Sequence, residues 1–438
     1  MTQIRRLSSL LTALLITMGI AAQSNGSNSS YSRFGIGLLN DHSQGFNQSM
    51  SGVAQGFRSA TQVNMQNPAS YSNIDSLTFI FDLGMNMQWG RLSSNGTSVK
   101  AMNTSLDYVN AGLQLHKGLG LSFGFMPYST IGYNFNETRR IGSSYTTGQS
   151  ITSDITYYGN GGLHQIYLGM GWNPFAKLSI GANISYLWGD YNHSLVQLFY
   201  EGGQSSSTYN TQNEFWNSDL KTYKLDIGAQ YPILLNEKNE LTLGATVGLG
   251  HRIGSNVALL RYTSKGDSVT TKTSKAFDLP YTISAGASWK RNEQLTVGAD
   301  YTIERWSGCR VPMSKSSDTG TDIVIATDQY SNRHHAAIGA DYIHNPVGTK
   351  YRHRVHYRIG ASYTTSYVKV NGKDGPKEYG VTLGAALPLT TNTRSLINVG
   401  VEWKHRAPSV SGQITENYLM LHLGITFSEA WFMKFKFQ

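Results

Sequence analysis

From Leu77 to Trp89 the chain alternates apolar residues with small or polar ones. Leu77, Phe79, Phe81, Leu83, Met85, Met87 and Trp89 form one set. Thr78, Asp82, Gly84, Asn86 and Gln88 lie between them, with Ile80 the one exception. A period of two sustained over about thirteen residues predicts a long β-strand with one apolar face. Soluble strands usually run five or six residues, whereas a tilted strand crossing a bilayer needs about nine to eleven. The pattern recurs to the end of the chain, giving about fourteen alternating segments, among them Leu119 to Pro127, Leu178 to Trp188, Tyr223 to Tyr231, Leu241 to Leu249, Leu295 to Ile303, Val355 to Tyr363 and Leu419 to Phe427. The intervening positions are mostly Gly, Ser, Thr, Asn or Asp, as lipid-out, lumen-in strands require. Trp89, Tyr186, Trp188, Trp289 and Trp403 fall near segment ends, where aromatic girdles belong. These features predict an all-β fold: a transmembrane antiparallel barrel of about fourteen strands, an even number that leaves no free edge.

The connections alternate in length. His116-Lys117-Gly118, Asn173 to Lys177, Lys290 to Gln294 and Pro388 to Arg394 are short; 136–160, 192–221, 255–278 and 306–332 are long. Short periplasmic turns and long external loops account for that parity. Before the strands, residues 23–75 keep no period and are rich in turn formers, yet carry Phe34, Ile36, Phe46, Phe57 and Tyr71. Such a segment reads as a plug inside the lumen, so the expected organisation is a signal peptide over 1–22, an N-terminal hatch over 23–75 and a barrel over 76–438.

Arg5 and Arg6 precede an apolar run from Leu7 to Ile20, with Ala21 and Ala22 as a cleavage site, as in a secretory leader. No later stretch is apolar for eighteen residues, and mean hydropathy is −0.30, which argues against a helical membrane protein. The expected location is the bacterial outer membrane. Losing Arg5 and Arg6 with the leader lowers the formal charge from +9 to +7, a balance suited to anionic head groups of outer-membrane lipids. Export makes nucleic acid an improbable partner. Cys309 is the lone cysteine, so no internal disulfide is expected. His334-His335 and the pair His353, His356 lack a carboxylate or cysteine spaced to complete a metal site, and no local motif marks a catalytic nucleophile. No metal, cofactor or enzymatic activity is expected. Asp82, Asp226, Asp300, Glu304, Arg358 and Glu402 fall on lumenal positions and read as structural contacts to the plug. Pro127 interrupts the third strand. Proline has no N–H for the ladder, so the strand must bulge or kink there and lose pairing to a neighbour.

The chain resembles the FadL/TodX family of outer-membrane transporters of long-chain fatty acids and hydrophobic compounds, as a divergent branch. The resemblance rests on Asn67-Pro68-Ala69 after a Gly/Ala-rich run, Gly161-Gly162-Leu163, Leu279-Pro280 followed by Ala285-Gly286-Ala287-Ser288, Asp300-Tyr301 and Trp306-Ser307. It implies that Asn67, Pro68 and Ala69 are the hatch motif holding the plug. It also implies that the kink at Pro127, with Ser129, Thr130 and Gly132 beyond it, forms a lateral gate into the bilayer. The tail from Trp431 to Gln438 resembles a barrel insertion signal, although it ends in Gln438.

Two functions follow as expectations. The first is passive uptake of hydrophobic molecules, long-chain fatty acids or similar: capture at the external loops, movement of the hatch and lateral exit near Pro127. The second is a non-transporting accessory barrel in a larger outer-membrane assembly or secretion complex.

Overall fold

A computed structural model describes residues 28–76, 78–94, 96–175, 177–206, 208–266, 268–317, 320–389, 394–410 and 413–430. The expected leader, the first hatch residues 23–27, Leu77 and the tail 431–438 lie outside the described residues. Among the described residues no helix is long and apolar enough to cross a membrane.

Fourteen antiparallel strands close into a barrel. They are β1 (Thr78–Ser94), β2 (Thr97–His116), β3 (Leu119–Pro127 and Ser129–Ser143), β4 (Ser150–Phe175), β5 (Leu178–Glu201) and β6 (Gln212–Asn236). β7 has two segments (Asn239–Gly248 and His251–Thr263), and β8 has three (Ser268–Ser274, Phe277–Leu279 and Tyr281–Arg291). β9 (Leu295–Arg305), β10 (Arg333–Ile343), β11 (His356–Thr364), β12 (Lys377–Pro388), β13 (Leu396–Ala407) and β14 (Thr415–Ala430) complete the wall. The seam joins β1 to β14 from Thr78↔Ala430 to Ser93↔Thr415.

The barrel is inside out relative to a soluble protein. On β4, Ile166, Leu168, Met170 and Trp172 are exposed, while Gln165 and Tyr167 on the alternate face are buried. That distribution suits lipid outside and a filled lumen inside. Ile80, the exception in the first strand, is buried beside Val63 and Ile74 of the N-terminal segment. An apolar lumenal position is therefore a contact with the plug.

Three of the four stretches expected to be long loops are mainly strand. β3 and β4 run on to a turn at 144–149, and β5 reaches Glu201 before β6 resumes at Gln212. Likewise β7 and β8 pair from Asn256↔Ser274 to Tyr262↔Ser268. The Ser, Thr and Asn that resembled loop composition occupy hairpins standing above the expected membrane band, where both faces tolerate polar side chains. Only 306–332 forms a separate element, a hairpin of Val311–Ser317 and Gly320–Ala326.

Residues 28–75 fill the lumen through three short 3-10 turns (Ser30–Arg33, Gln48–Met50 and Pro68–Asn73) and the two-residue strand Leu38–Leu39. Lumenal glycines make their seat. A Cβ at Gly181 would overlap Pro68, at Gly244 the Gln55 carbonyl and at Gly360 the Met50 backbone. The small residues at inward strand positions thus have a steric reason: the hatch backbone rests directly on the wall.

Candidate functional site

The wall is interrupted at the Pro127 kink. β2 and β3 pair from His116↔Leu119 only as far as Val109↔Phe125. Beyond that point Thr97–Tyr108 of β2 turns to β1, and Ile131–Ser143 of β3 pairs with β4. Among the described residues no ladder joins these two upper segments. The break has three parts. Pro127 contributes no N–H. Pro127↔His164 is followed by Ile131↔Gly161, so three residues of β3 (Tyr128, Ser129, Thr130) oppose two of β4. Gly161 and Gly162 sit at φ +124° and +121°, a backbone that L side chains rarely adopt, and a Cβ on Gly162 would strike the Ser129 carbonyl oxygen.

The hatch occupies the missing neighbour's place. Leu38 pairs with Thr130 and Leu39 with Ser129. The Ser129 hydroxyl donates to the Ile36 carbonyl at 2.8 Å, the Gly132 amide to the Ser32 hydroxyl at 3.1 Å, and the Asn40 amide to the Tyr128 carbonyl at 3.0 Å. The Asn40 side chain donates to the Pro127 carbonyl at 3.1 Å. Pro127, Ser129, Thr130 and Gly132 therefore meet at one place, and each of them, or the peptide next to it, touches residues 32–40.

Asn67, Pro68 and Ala69 lie elsewhere in the lumen, against β4, β5 and β6. The Asn67 side chain accepts from the Ala69 amide at 3.2 Å, capping the third turn, and donates to the carbonyls of Gln55 (2.9 Å) and Ala229 (3.3 Å). Tyr71 donates to Asn183 at 3.1 Å, and Asn183 donates to the Met65 carbonyl at 2.9 Å. This half of the hatch is fixed by neutral hydrogen bonds and close packing.

The half beside the interruption is held by charge. Asp41 accepts from Lys404 at 2.9 Å and Arg333 at 3.2 Å. Arg333 also reaches Glu304, and Lys404 reaches Glu378 and Glu402. Glu416, fully buried, accepts from Ser29 at 2.8 Å and from Arg406 at 3.1 Å. The side chain of Arg358 donates to the Gly45 carbonyl at 3.1 Å, and Asp300 accepts from the amides of Ala54 and Gln55 at 2.5 and 2.8 Å. Burial alone would raise the Asp41 carboxyl; Lys404, Arg333 and, more weakly, His335 outweigh it and hold it well below the usual carboxylate range. Burial, with Lys224 nearby, pushes the neighbouring His42 down to about 4 against the opposing pull of Glu304, Asp226 and Asp41. Of the lumenal charges singled out from sequence, Asp300 and Arg358 touch the hatch directly; Glu304 and Glu402 act through Arg333 and Lys404, and Asp82 through Tyr108, whose hydroxyl accepts from the Gly45 amide at 2.7 Å. Asp226 pairs with Lys224 in the wall. Asp41 and His42 were not legible beforehand: they lie in a segment without period or motif.

Two cavities flank hatch residues 33–43. One of about 250 Å³ lies beneath the external hairpin, lined by Phe34, Tyr133, Tyr157, Tyr191, Trp216 and Met313 among others. Arg33 lies there with its guanidinium 3.8 Å from the Tyr157 ring centre. The other, about 950 Å³, touches both edges of the interruption, Asn103 to Asp107 on β2 and Pro127 to Asn134 on β3. Leu38, Leu39 and His42 form part of its wall, and Asp190, Lys221, Glu402, Lys404 and His422 bring charge to it.

These features define an outer-membrane β-barrel of fourteen strands, filled by an N-terminal hatch and broken in its wall where the hatch strand sits. The chain belongs to the BamG family, whose sequence model matches residues 3–438. A search of curated proteins finds no match. Solved structures share the fold. A Pseudomonas aeruginosa FadL homologue superposes with TM-score 0.61 at 12% identity, over 88% of this chain and 98% of that one. The monoaromatic hydrocarbon channel CymD gives 0.58 at 14% identity, over 88% and 97%. The Pseudomonas putida toluene transporter TodX gives 0.56 at 15% identity, over 90% and 99%. The likeness to FadL and TodX is thus one of architecture, with sequence well diverged.

Proposed function

We propose that the protein is a passive outer-membrane channel for small hydrophobic molecules, long-chain fatty acids or similar compounds. Cargo is captured in the aromatic cavity under the external hairpin, displaces hatch residues 33–40, enters the larger cavity and leaves sideways between β2 and β3 above Pro127. The observation that carries this reading is the position of Leu38–Leu39. The two residues fill the wall interruption and border the large cavity, and Arg33 to Gly35 just upstream line the aromatic one. One short movement of the hatch would then join both cavities to the bilayer. The similar barrels CymD and TodX are a monoaromatic hydrocarbon channel and a toluene transporter, in keeping with this cargo class.

A second reading, an accessory barrel held in a larger outer-membrane assembly, is favoured by the charge around Asp41. An apolar cargo crossing the larger cavity would pass Lys404, Glu402 and His422, groups that keep their hydration or their ion pairs at a cost to any apolar neighbour.

A reversible lock separates the two. With Cys309→Ser as background, Leu38→Cys and Thr130→Cys place thiols on register partners. Oxidation should stop uptake of a fluorescent long-chain fatty acid into proteoliposomes, and reductant should restore it. Equal uptake in the locked and unlocked states would overturn the hatch route. No uptake in either state, with the barrel retained in a complex on gentle extraction, would establish the accessory role instead.

A further inference from the structure

The outer face at the seam carries an ordered patch that neither transport nor the hatch uses. Four outward residues stand in one cross-strand row, Trp403–Leu419–Trp89–Met102 on β13, β14, β1 and β2. All four are exposed. Two residues further toward the long-hairpin rim the next row reads His405–Asn417–Arg91–Lys100. An apolar band thus lies directly beneath a polar, cationic one. A groove of about 440 Å³ is cut across both, floored by Trp89, Trp403, Met102 and Leu419 and edged by Arg91 and Lys100.

The charge in that second row is uncompensated. Arg91 and Lys100 are directly opposed, an arrangement that destabilises a strand pair when both side chains are cationic. Arg91 donates to the Ser98 hydroxyl at 3.4 Å, and among the described residues neither cation is ion-paired. Of the carboxylates on these strands, Asp82, Glu402 and Glu416 are buried on the lumenal side, Asp107 faces His422 there, and Glu429, paired with Phe79, lies at the opposite end of the wall. Below the patch the wall continues apolar through Val401, Leu421 and Met87. The long-hairpin end is the external end in barrels of this kind, so the two rows fall at the outer-leaflet interface.

We infer that this groove is a binding site for a phosphate-bearing acyl lipid of the outer leaflet. Its phosphate bridges Arg91 and Lys100, and one acyl chain lies in the groove between Trp89 and Trp403. The occupant follows from complementarity: two cations with no ion-pair partner among the described residues, over an apolar floor facing lipid, match an anionic head on an acyl body. The bound phosphate removes the repulsion between Arg91 and Lys100, so the site stabilises the seam as it fills.

Native mass spectrometry of the full-length barrel in detergent, titrated with diphosphoryl lipid A, its dephosphorylated form or inorganic phosphate, tests the site. One diphosphoryl lipid should be retained per barrel. The dephosphorylated lipid and Arg91→Gln/Lys100→Gln should each weaken retention about thirtyfold, as two interfacial charges worth about fivefold apiece imply. Lys290→Gln/Arg291→Gln, which removes two charges at the opposite rim, should retain the lipid fully, and all variants should keep heat-modifiable mobility. Equal retention of both lipids, an unchanged Arg91→Gln/Lys100→Gln variant, equal loss in the Lys290→Gln/Arg291→Gln control or retention of inorganic phosphate alone would each overturn the inference.

Discussion

Replacing Asp41 by Ala should release one half of the hatch and leave the other seated. Asp41 receives one charged contact from Lys404 and one from Arg333. A hydrogen bond to a charged group contributes about 1.5–3 kcal/mol. The Asp41 side chain keeps 31% exposure, and both cations retain other carboxylates: Glu304 for Arg333, Glu378 and Glu402 for Lys404. The pair together is therefore worth nearer about 2 kcal/mol than the sum of two full contacts. That corresponds to about a thirtyfold rise in the open population of residues 38–48. Hydrogen–deuterium exchange reads it at the amides of Asn40, Gly45 and Asn47, bonded to Tyr128, Tyr108 and Gln44. The amides of Ser70 and Ile74, bonded to Asn67 and Tyr71, should keep their wild-type rates. Unchanged exchange at Asn40 and Gly45 would show that packing and not charge seats this half. Faster exchange at Ser70 and Ile74 as well would show that the hatch opens as one body, and would refute the division into a neutral and a charged half.

Gly162→Ala should destabilise the barrel by about 2–4 kcal/mol, because its Cβ meets the Ser129 carbonyl at a φ of +121°; a lowered urea midpoint for loss of heat-modifiable mobility measures this, and a wild-type midpoint would show that the bulge opposite Pro127 relaxes freely. The seating of residues 38–48 should weaken on acidification from pH 6.5 toward 4. His42 in the seated hatch takes up a proton only near 4, whereas a released, solvated histidine does so near its ordinary value of 6.5. Over that window the released form binds more protons and gains on the seated one, while above 6.5 the seating is at full strength. His42→Asn, which suits the φ of 48° at this position, should flatten the pH profile of exchange, and an unaltered profile would assign the titration elsewhere.

The barrel was legible because lipid on one face and a filled lumen on the other impose a strict period of two, and Leu77 to Trp89 displays it almost without error. The strand interruption at Pro127 was legible for the same kind of reason: a missing N–H is a local property of one residue. Its counterpart, the Gly161–Gly162 pair, was visible as a motif but not as half of the kink, since its role depends on the residues it faces across β3. The external hairpins look like loops in the sequence because, above the membrane, neither face is bound to be apolar and the alternation fades. Asp41 and His42 carry no such local signal. Asp41 is bound to residues 292 and 363 positions away, and nothing in its own neighbourhood marks it.

The charged half of the hatch also constrains how the molecule is made. Ser29 and Asp41 lie at the beginning of the described chain, and their partners Glu416 and Lys404 lie on β14 and β13, the last strands of the barrel. The same two strands close the wall against β1. Until they arrive, the N-terminal segment has its glycine seats on β5 and β7 and its contacts to Asp300, Arg333 and Arg358 but not those to Lys404 and Glu416, and a barrel zipped shut around an empty lumen would shut it out. Seam closure and hatch capture are thus a single late event joining the two ends of the chain, the kind of long-range contact that makes folding slow. An unfinished barrel would wait at this step with β1 and β14 as open edges, a state that needs shielding until the final strand is in place.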